Sequence, residues 1–249
     1  EMLRSLVGSE MCIRDSYYDV RDFEVVKKVA NLFSDDIRLV TGREIAVSEV
    51  GENMSSNCII VGTLGYNEMI DKLILKKKLD VSALKNKWES FHVEVIRNPF
   101  PGVKKALVIV GSDRRGTAYG LFSISEAIGI SPWYWWADAP VNKRKELCLK
   151  VQKITSKEPT VKYRGIFIND EDWGLKPWAS KTFEPETGDI GPKTYAKICE
   201  LLLRLKANYL CPAMHSCTKA FNHYPKNKLV ADSFAIVMGS VHCEPLLFN

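Results

Sequence analysis

Between residues 22 and 40 the apolar positions fall at 23, 25, 26, 29, 32, 33 and 37, the stripe of an amphipathic helix. A short apolar run follows, Cys58-Ile59-Ile60-Val61 ended by Gly62, and predicts a buried strand. Residues 67–78 return to helical spacing and close on lysines, which suit the negative end of a helix dipole. Alternation over 91–96 predicts a strand, and 106–110 reads as a second buried one running into Gly111-Ser112-Asp113. Ser112 or Asp113 is placed to cap a helix reaching about residue 127, and 147–154 reads as a last strand. Strands and helices mixed on this scale predict a compact α/β domain over 17–155.

Residues 155–159 form a short polar linker with Lys157-Glu158-Pro159, and the pattern then changes. A strand is predicted over 163–168. A helix follows over 192–206, with Pro192 in its first turn and Ile198, Leu201, Leu202 and Leu205 on one face. Tyr209-Leu210-Cys211 reads as a second strand, 227–233 as a short helix and 234–238 as a third strand. Each strand runs into polar side chains: Asn169-Asp170-Glu171-Asp172-Trp173, then His215, then His242 and Glu244. A (β/α)8 barrel builds its active site from such strand ends. The predicted fold is thus α/β: an N-terminal α/β domain, then over 156–249 the first βα units of a truncated TIM-type barrel. A doubly wound sheet would give a similar pattern.

Both ends look unnatural as sequence. Residues 1–16 lack signal-peptide organisation, and Met11 to Ser16 (MCIRDS) is similar to a translated sequencing adaptor, so 1–16 reads as a disordered scar. Leu246-Leu247-Phe248-Asn249 follows a segment rich in polar side chains, which reads as an incomplete gene.

Composition narrows the classes of function. The 249 residues are 46% hydrophobic and 26% charged, an ordinary globular balance. No apolar run approaches the ~20 residues of a membrane span. A net charge of +5, spread along the chain, does not make the basic stripe of a nucleic-acid binder. The seven cysteines form no paired-cysteine motif and read mostly as small buried residues. Cys211, His215 and Cys217 lack zinc-ligand spacing, so no metal is expected.

Asn169 to Asp172 places three carboxylates directly after a buried strand, as general acid–base cleavage of a glycosidic bond requires. A solvated acidic loop or a helix cap would look the same. His215 and His242 could bind a substrate carboxylate or orient a catalytic acid, and Glu244 could hydrogen-bond sugar hydroxyls. Trp173 and Trp178 are candidates for stacking on a sugar ring. The tryptophans of Ser131 to Asp138 (SPWYWWAD) suit packing between domains better. Gly111 to Thr117 (GSDRRGT) lacks the spacing of a phosphate loop and reads as a capped helix start.

With these segments together, the chain resembles glycoside hydrolase family 115, the xylan α-glucuronidases. The matching stretches are Gly111 to Gly120, Ser131 to Asp138, Arg164 to Glu171 (RGIFINDE), Gly191 to Leu210 and Met238 to Pro245 (MGSVHCEP). Cys211 stands where the family often has Trp, and Val241 where it often has Ser, which touches sugar contacts rather than the reaction. The resemblance implies an inverting, cofactor-free release of glucuronic or 4-O-methyl-glucuronic acid from glucuronoxylan or its oligosaccharides. It also implies work outside the cytoplasm, in the periplasm or after secretion; charge and composition already argue against a nucleic-acid or membrane partner, and a homodimer is expected as one form of the full-length enzyme. Carried over by position, Asp170 and Glu171 are candidate catalytic groups. Asn169, Trp173, His215, His242 and Glu244 are candidate substrate-binding residues. Further catalytic carboxylates are expected beyond Asn249. A carbohydrate-binding module and another barrel glycosidase, such as a hexosaminidase, are the competing classes.

Overall fold

The computed structural model describes residues 3–7, 15–51, 54–145, 147–149, 151 and 153–240; for 3–7, 148 and 149 it describes backbone only. Two compact units divide the chain, residues 1–160 and 161–249. Among the described residues no helix is long and apolar enough to cross a membrane.

The first unit runs β1 (Leu3–Val7), β2 (Asp15–Tyr18), α1 (Glu24–Thr41), β3 (Ala46–Glu49), β4 (Asn57–Thr63) and α2 (Glu68–Leu75). It continues through β5 (Phe91–Arg97), β6 (Lys105–Gly111), α3 (Arg114–Ala127), β7 (Leu147–Leu149) and β8 (Ile154–Thr155). Six strands form one sheet in the order β3-β2-β4-β6-β5-β8. The first four are mutually parallel and β5 is antiparallel to its two neighbours. The unbroken apolar runs sit where the physics wants them, since β4 and β6 are the central pair and are buried along nearly their whole length. Cys58, Ile60, Ala106, Val108 and Val110 pack with Met69, Ile70 and Leu73 of α2. Alternation turns Ile59 and Ile109 to the opposite face, where a Cβ on Gly120 of α3 would strike Ile109. Burying each such aliphatic side chain contributes about 1.5–3 kcal/mol.

Helix starts are fixed by side chains. Asn67 accepts from the N–H groups of Met69 and Ile70 and donates to the Val61 carbonyl. Asp113 accepts from Arg115 and Gly116 through Oδ1 and from the Glu89 N–H through Oδ2. The Gly111–Thr117 segment is therefore a close-packed strand-to-helix junction. A Cβ on Gly111 would collide with the Thr117 backbone, and one on Gly116 with the Ser90 carbonyl.

Three expectations change in this unit. Asp15 and Ser16, counted with the scar, open β2, which lies between β3 and β4; Ser16 is fully buried. Leu3–Val7 pairs antiparallel with β7. With four residues in β2 and five in β1, neither strand is long enough to show periodicity, which is why both escape notice. The strand expected over 147–154 is instead two short ones in different sheets, β7 with β1 and β8 with β5.

The second unit comprises β9 (Gly165–Phe167), a 3-10 turn (Glu171–Trp173), α4 (Leu175–Trp178), α5 (Pro192–Arg204), β10 (Tyr209–Cys211), α6 (Pro225–Ser233) and β11 (Val237–Met238). The three strands form a parallel sheet with β10 in the middle. Gly165 is needed there because a Cβ would strike the Tyr209 backbone across the ladder. The strands are shorter than expected, and β11 shows why. Ala235 is left-handed (φ 57°), and the Ile236 N–H returns to the Ala231 carbonyl, so 234–236 finish α6 rather than start a strand. Chain order, parallel pairing and intervening helices define a β-helix-β repeat. Among the described residues the three strands are not closed into a barrel.

Candidate active site

The first strand end is built on strained backbone. After β9, the Ile168 N–H still pairs with the Cys211 carbonyl, which prolongs the sheet to its end. Asp170 then adopts a left-handed conformation (φ 53°, ψ 37°), sparsely populated for a residue with a Cβ. Its carbonyl accepts the Trp173 N–H and closes the 3-10 turn. Its exposed side chain accepts a bond from Asn169 Nδ2 at 3.0 Å. Such strain persists only where surroundings over-determine it, and it gathers at functional sites.

Glu171 behaves oppositely to its neighbour. It is only 1% exposed. Its Oε1 accepts from the Met214 N–H at 2.8 Å, the His215 N–H at 2.6 Å and the Thr218 hydroxyl at 3.0 Å. One carboxylate oxygen thus ties the loop after β9 to the loop after β10. The other, Oε2, is buried without a hydrogen bond and stands 3.7 Å from His215 Nδ1. Asp172 Oδ1 approaches the same Nδ1 at 3.3 Å. The Asp172 carboxylate, helped by the charges of Glu171 and Asp170, raises the His215 pKa above the ordinary histidine value. Functional atoms of Asp170, Asp172 and His215 all lie within 4.8 Å of one another. Cys211 and Cys217 stand outside this group, the first buried and the second exposed.

Trp173 is 84% exposed and free to present a ring face. Trp178 is stacked on Phe183, with centroids 4.8 Å apart and planes 11° off parallel. His242 and Glu244 lie outside the described residues. Sequence reading missed the participants that fix the loops. Thr218 holds Glu171, Asp172 holds His215, and Asp189 accepts from the Lys219 N–H and the Tyr224 hydroxyl. Burial and that contact push the Tyr224 pKa up to about 12. Asp172 at least belonged to the run of three carboxylates; Thr218 and Asp189 carry no sequence signal.

Carboxylates and an imidazole gathered at the ends of parallel strands are the equipment of an acid–base hydrolase. Residues 156–249 match the sequence profile of Glycosyl hydrolase family 115. One solved relative is a family 115 4-O-methyl-α-glucuronidase with specificity for decorated arabinogalactans. It is 41% identical, with a TM-score of 0.78 over 93% of this chain and 29% of that one. The chain belongs to glycoside hydrolase family 115. An N-acetyl-β-hexosaminidase of Streptomyces plicatus shares the fold, with a TM-score of 0.53 at 11% identity over 96% of this chain and 42% of that one. No curated protein matches. The chain spans under a third of the α-glucuronidase's length.

Proposed function

We propose that the enzyme containing this chain is an inverting α-glucuronidase that releases glucuronic or 4-O-methyl-glucuronic acid from glucuronoxylan. The second unit would be the opening of its (β/α)8 barrel. The observation that carries this reading is Asp170: a carboxylate held outward by strained backbone at a strand end, beside an imidazole whose pKa the neighbouring carboxylates raise. In this reading Asp170 is one member of the acid–base pair. Asp172 is not the other, because their oxygens lie within 4.8 Å. Inverting hydrolysis separates its two carboxyl groups by about 6.5–9.5 Å, leaving room for the attacking water. The opposing carboxylate then comes from another strand end of the whole enzyme.

Glu171, expected from the sequence as a second catalytic group, is proposed as a positioning residue. Three donors saturate one oxygen and burial closes off the other, so neither is placed to reach a glycosidic oxygen. The His215 ring, whose pKa is raised, is suited in its protonated form to the substrate carboxylate, and the open ring of Trp173 to a sugar face. Asn169, His242 and Glu244 complete the proposed binding set. An enzyme acting on polymeric glucuronoxylan would work outside the cytoplasm.

The test is Asp170→Asn in the whole enzyme, reading uronic acid released from glucuronoxylan and, separately, from a uronate-decorated arabinogalactan. Loss of an acid–base group should lower kcat by about 10²–10⁴-fold. Near-normal turnover on both polymers overturns the assignment. Activity on arabinogalactan alone overturns the choice of xylan.

A further inference from the structure

The turn that ends α2 and the turn that joins β5 to β6 face each other across a cavity of about 550 Å³ in the first unit. That is within the ~300–1,000 Å³ of small-molecule sites. Lys76, Lys78, Phe100 and Lys104 contribute to its lining, and no carboxylate does. Lysines at a helix C-terminus are ordinary, because they answer the dipole. Here the direction of the ammonium groups matters. Lys78 Nζ reaches across the gap to the carbonyls of Asn98 and Pro99. Lys76 Nζ lies 6.0 Å over the Phe100 ring centroid. Lys104 approaches from the hairpin itself. Among the described residues none of the three is paired with a carboxylate.

The hairpin that supplies the ring is stiff. Asn98 and Gly102 are both left-handed (φ 48° and 81°), and prolines at 99 and 101 flank Phe100. A half-buried aromatic face inside a ring of uncompensated positive charge complements a ligand that is anionic and also carries a ring with C–H groups to stack. A carboxylated sugar has both; inorganic phosphate has only the first.

We propose that this cavity is an accessory subsite for a uronate-bearing polysaccharide, separate from the cluster around Asp170. Lys76 and Lys104 take the sugar carboxylate, and Phe100 stacks on the ring. The choice of uronate rests on the family 115 reading above; the demand for an anion with a ring does not.

Affinity electrophoresis of the 249-residue chain tests this, in gels containing glucuronoxylan, carboxyl-reduced glucuronoxylan or dextran sulfate. Asp170→Ala and His215→Ala are present throughout, so that the other cluster cannot contribute. Lys76→Glu with Lys104→Glu should weaken retention by glucuronoxylan at least about tenfold, and Phe100→Ala should weaken it too. The same charge change at Lys226 and Lys228 should not, and carboxyl reduction should abolish retention by the parent. Lys76→Gln with Lys104→Gln, checked by thermal melting, separates lost binding from lost folding. Unchanged retention in the lysine variants, or retention that survives carboxyl reduction, overturns the subsite. So does dextran sulfate held as tightly with no contribution from Phe100, which would mark a general polyanion patch. The two readings fail separately. A whole enzyme that releases no uronic acid, while these variants still lose binding, removes the activity and leaves the subsite. Normal release with unchanged retention does the reverse.

Discussion

Glu171 grips His215 twice: Oε1 accepts the backbone N–H of His215 at 2.6 Å, and Oε2 stands 3.7 Å from the ring Nδ1 of the same residue. Two loops that are 44 residues apart in sequence become one rigid corner through a single carboxylate.

Removing that carboxylate should therefore act first on structure. Glu171→Ala leaves three donors without their acceptor and should destabilise the chain by about 1–3 kcal/mol. Glu171→Gln keeps an acceptor for them and should recover much of the loss. Urea denaturation of both variants checks this, and equal stability of Glu171→Ala and wild type would reduce the corner to a coincidence of packing.

His215 should hold its proton to higher pH than an unperturbed histidine, because Asp172 hydrogen-bonds the ring and adjacent carboxylates favour the charged form. A raised folded-state pKa stabilises below the unfolded value and ceases to do so as pH rises through the folded one. NMR titration of the ring protons should show the upward shift, and Asp172→Asn should lower it. A normal midpoint unaffected by Asp172→Asn would dissolve the pair.

In the first unit Asp113 carries three backbone N–H groups, two at the start of α3 and one from Glu89. Asp113→Ala should cost about 1–3 kcal/mol and lower Tm by several degrees. Ser112→Ala loses the one bond its hydroxyl accepts from the Ser90 N–H and should cost less, about 1 kcal/mol. Calorimetry of the two variants ranks them, and the reverse order would show that the cap is not what starts the helix.

Thiol labelling should separate the cysteines. Burial pushes Cys58 and Cys199 up to about 12, so neither offers a thiolate near neutral pH. Exposed Cys217 should react well before them, despite its own raised pKa. Mass mapping after a short exposure to a maleimide decides it; early modification of Cys58 or Cys199 would mean that their elements open readily.

Deleting residues 1–16 should clearly lower stability. The cut removes half of β2, including fully buried Ser16, from between two parallel neighbours. An unchanged denaturation midpoint would restore the reading of this segment as a scar.

Sequence by itself determined the elements whose patterns are long enough to repeat. The stripe of α1, the apolar runs of β4 and β6 and the Pro-led α5 are each legible because one face, or both, must leave water along many residues. It also placed Asp170, Asp172 and His215 after strands, and the resemblance carried by RGIFINDE pointed to family 115. Tertiary structure alone decided what those residues do. Asp170 and Glu171 are neighbours with similar side chains, yet one is exposed on strained backbone and the other is sealed beneath a second loop. Hydrophobic period cannot express that difference, because it arises from donors brought from residues 214, 215 and 218 by the pairing of β9 with β10. The short strands escaped for a related reason. β2 and β8 hold only four and two residues, and their partners, rather than their own composition, make them strands.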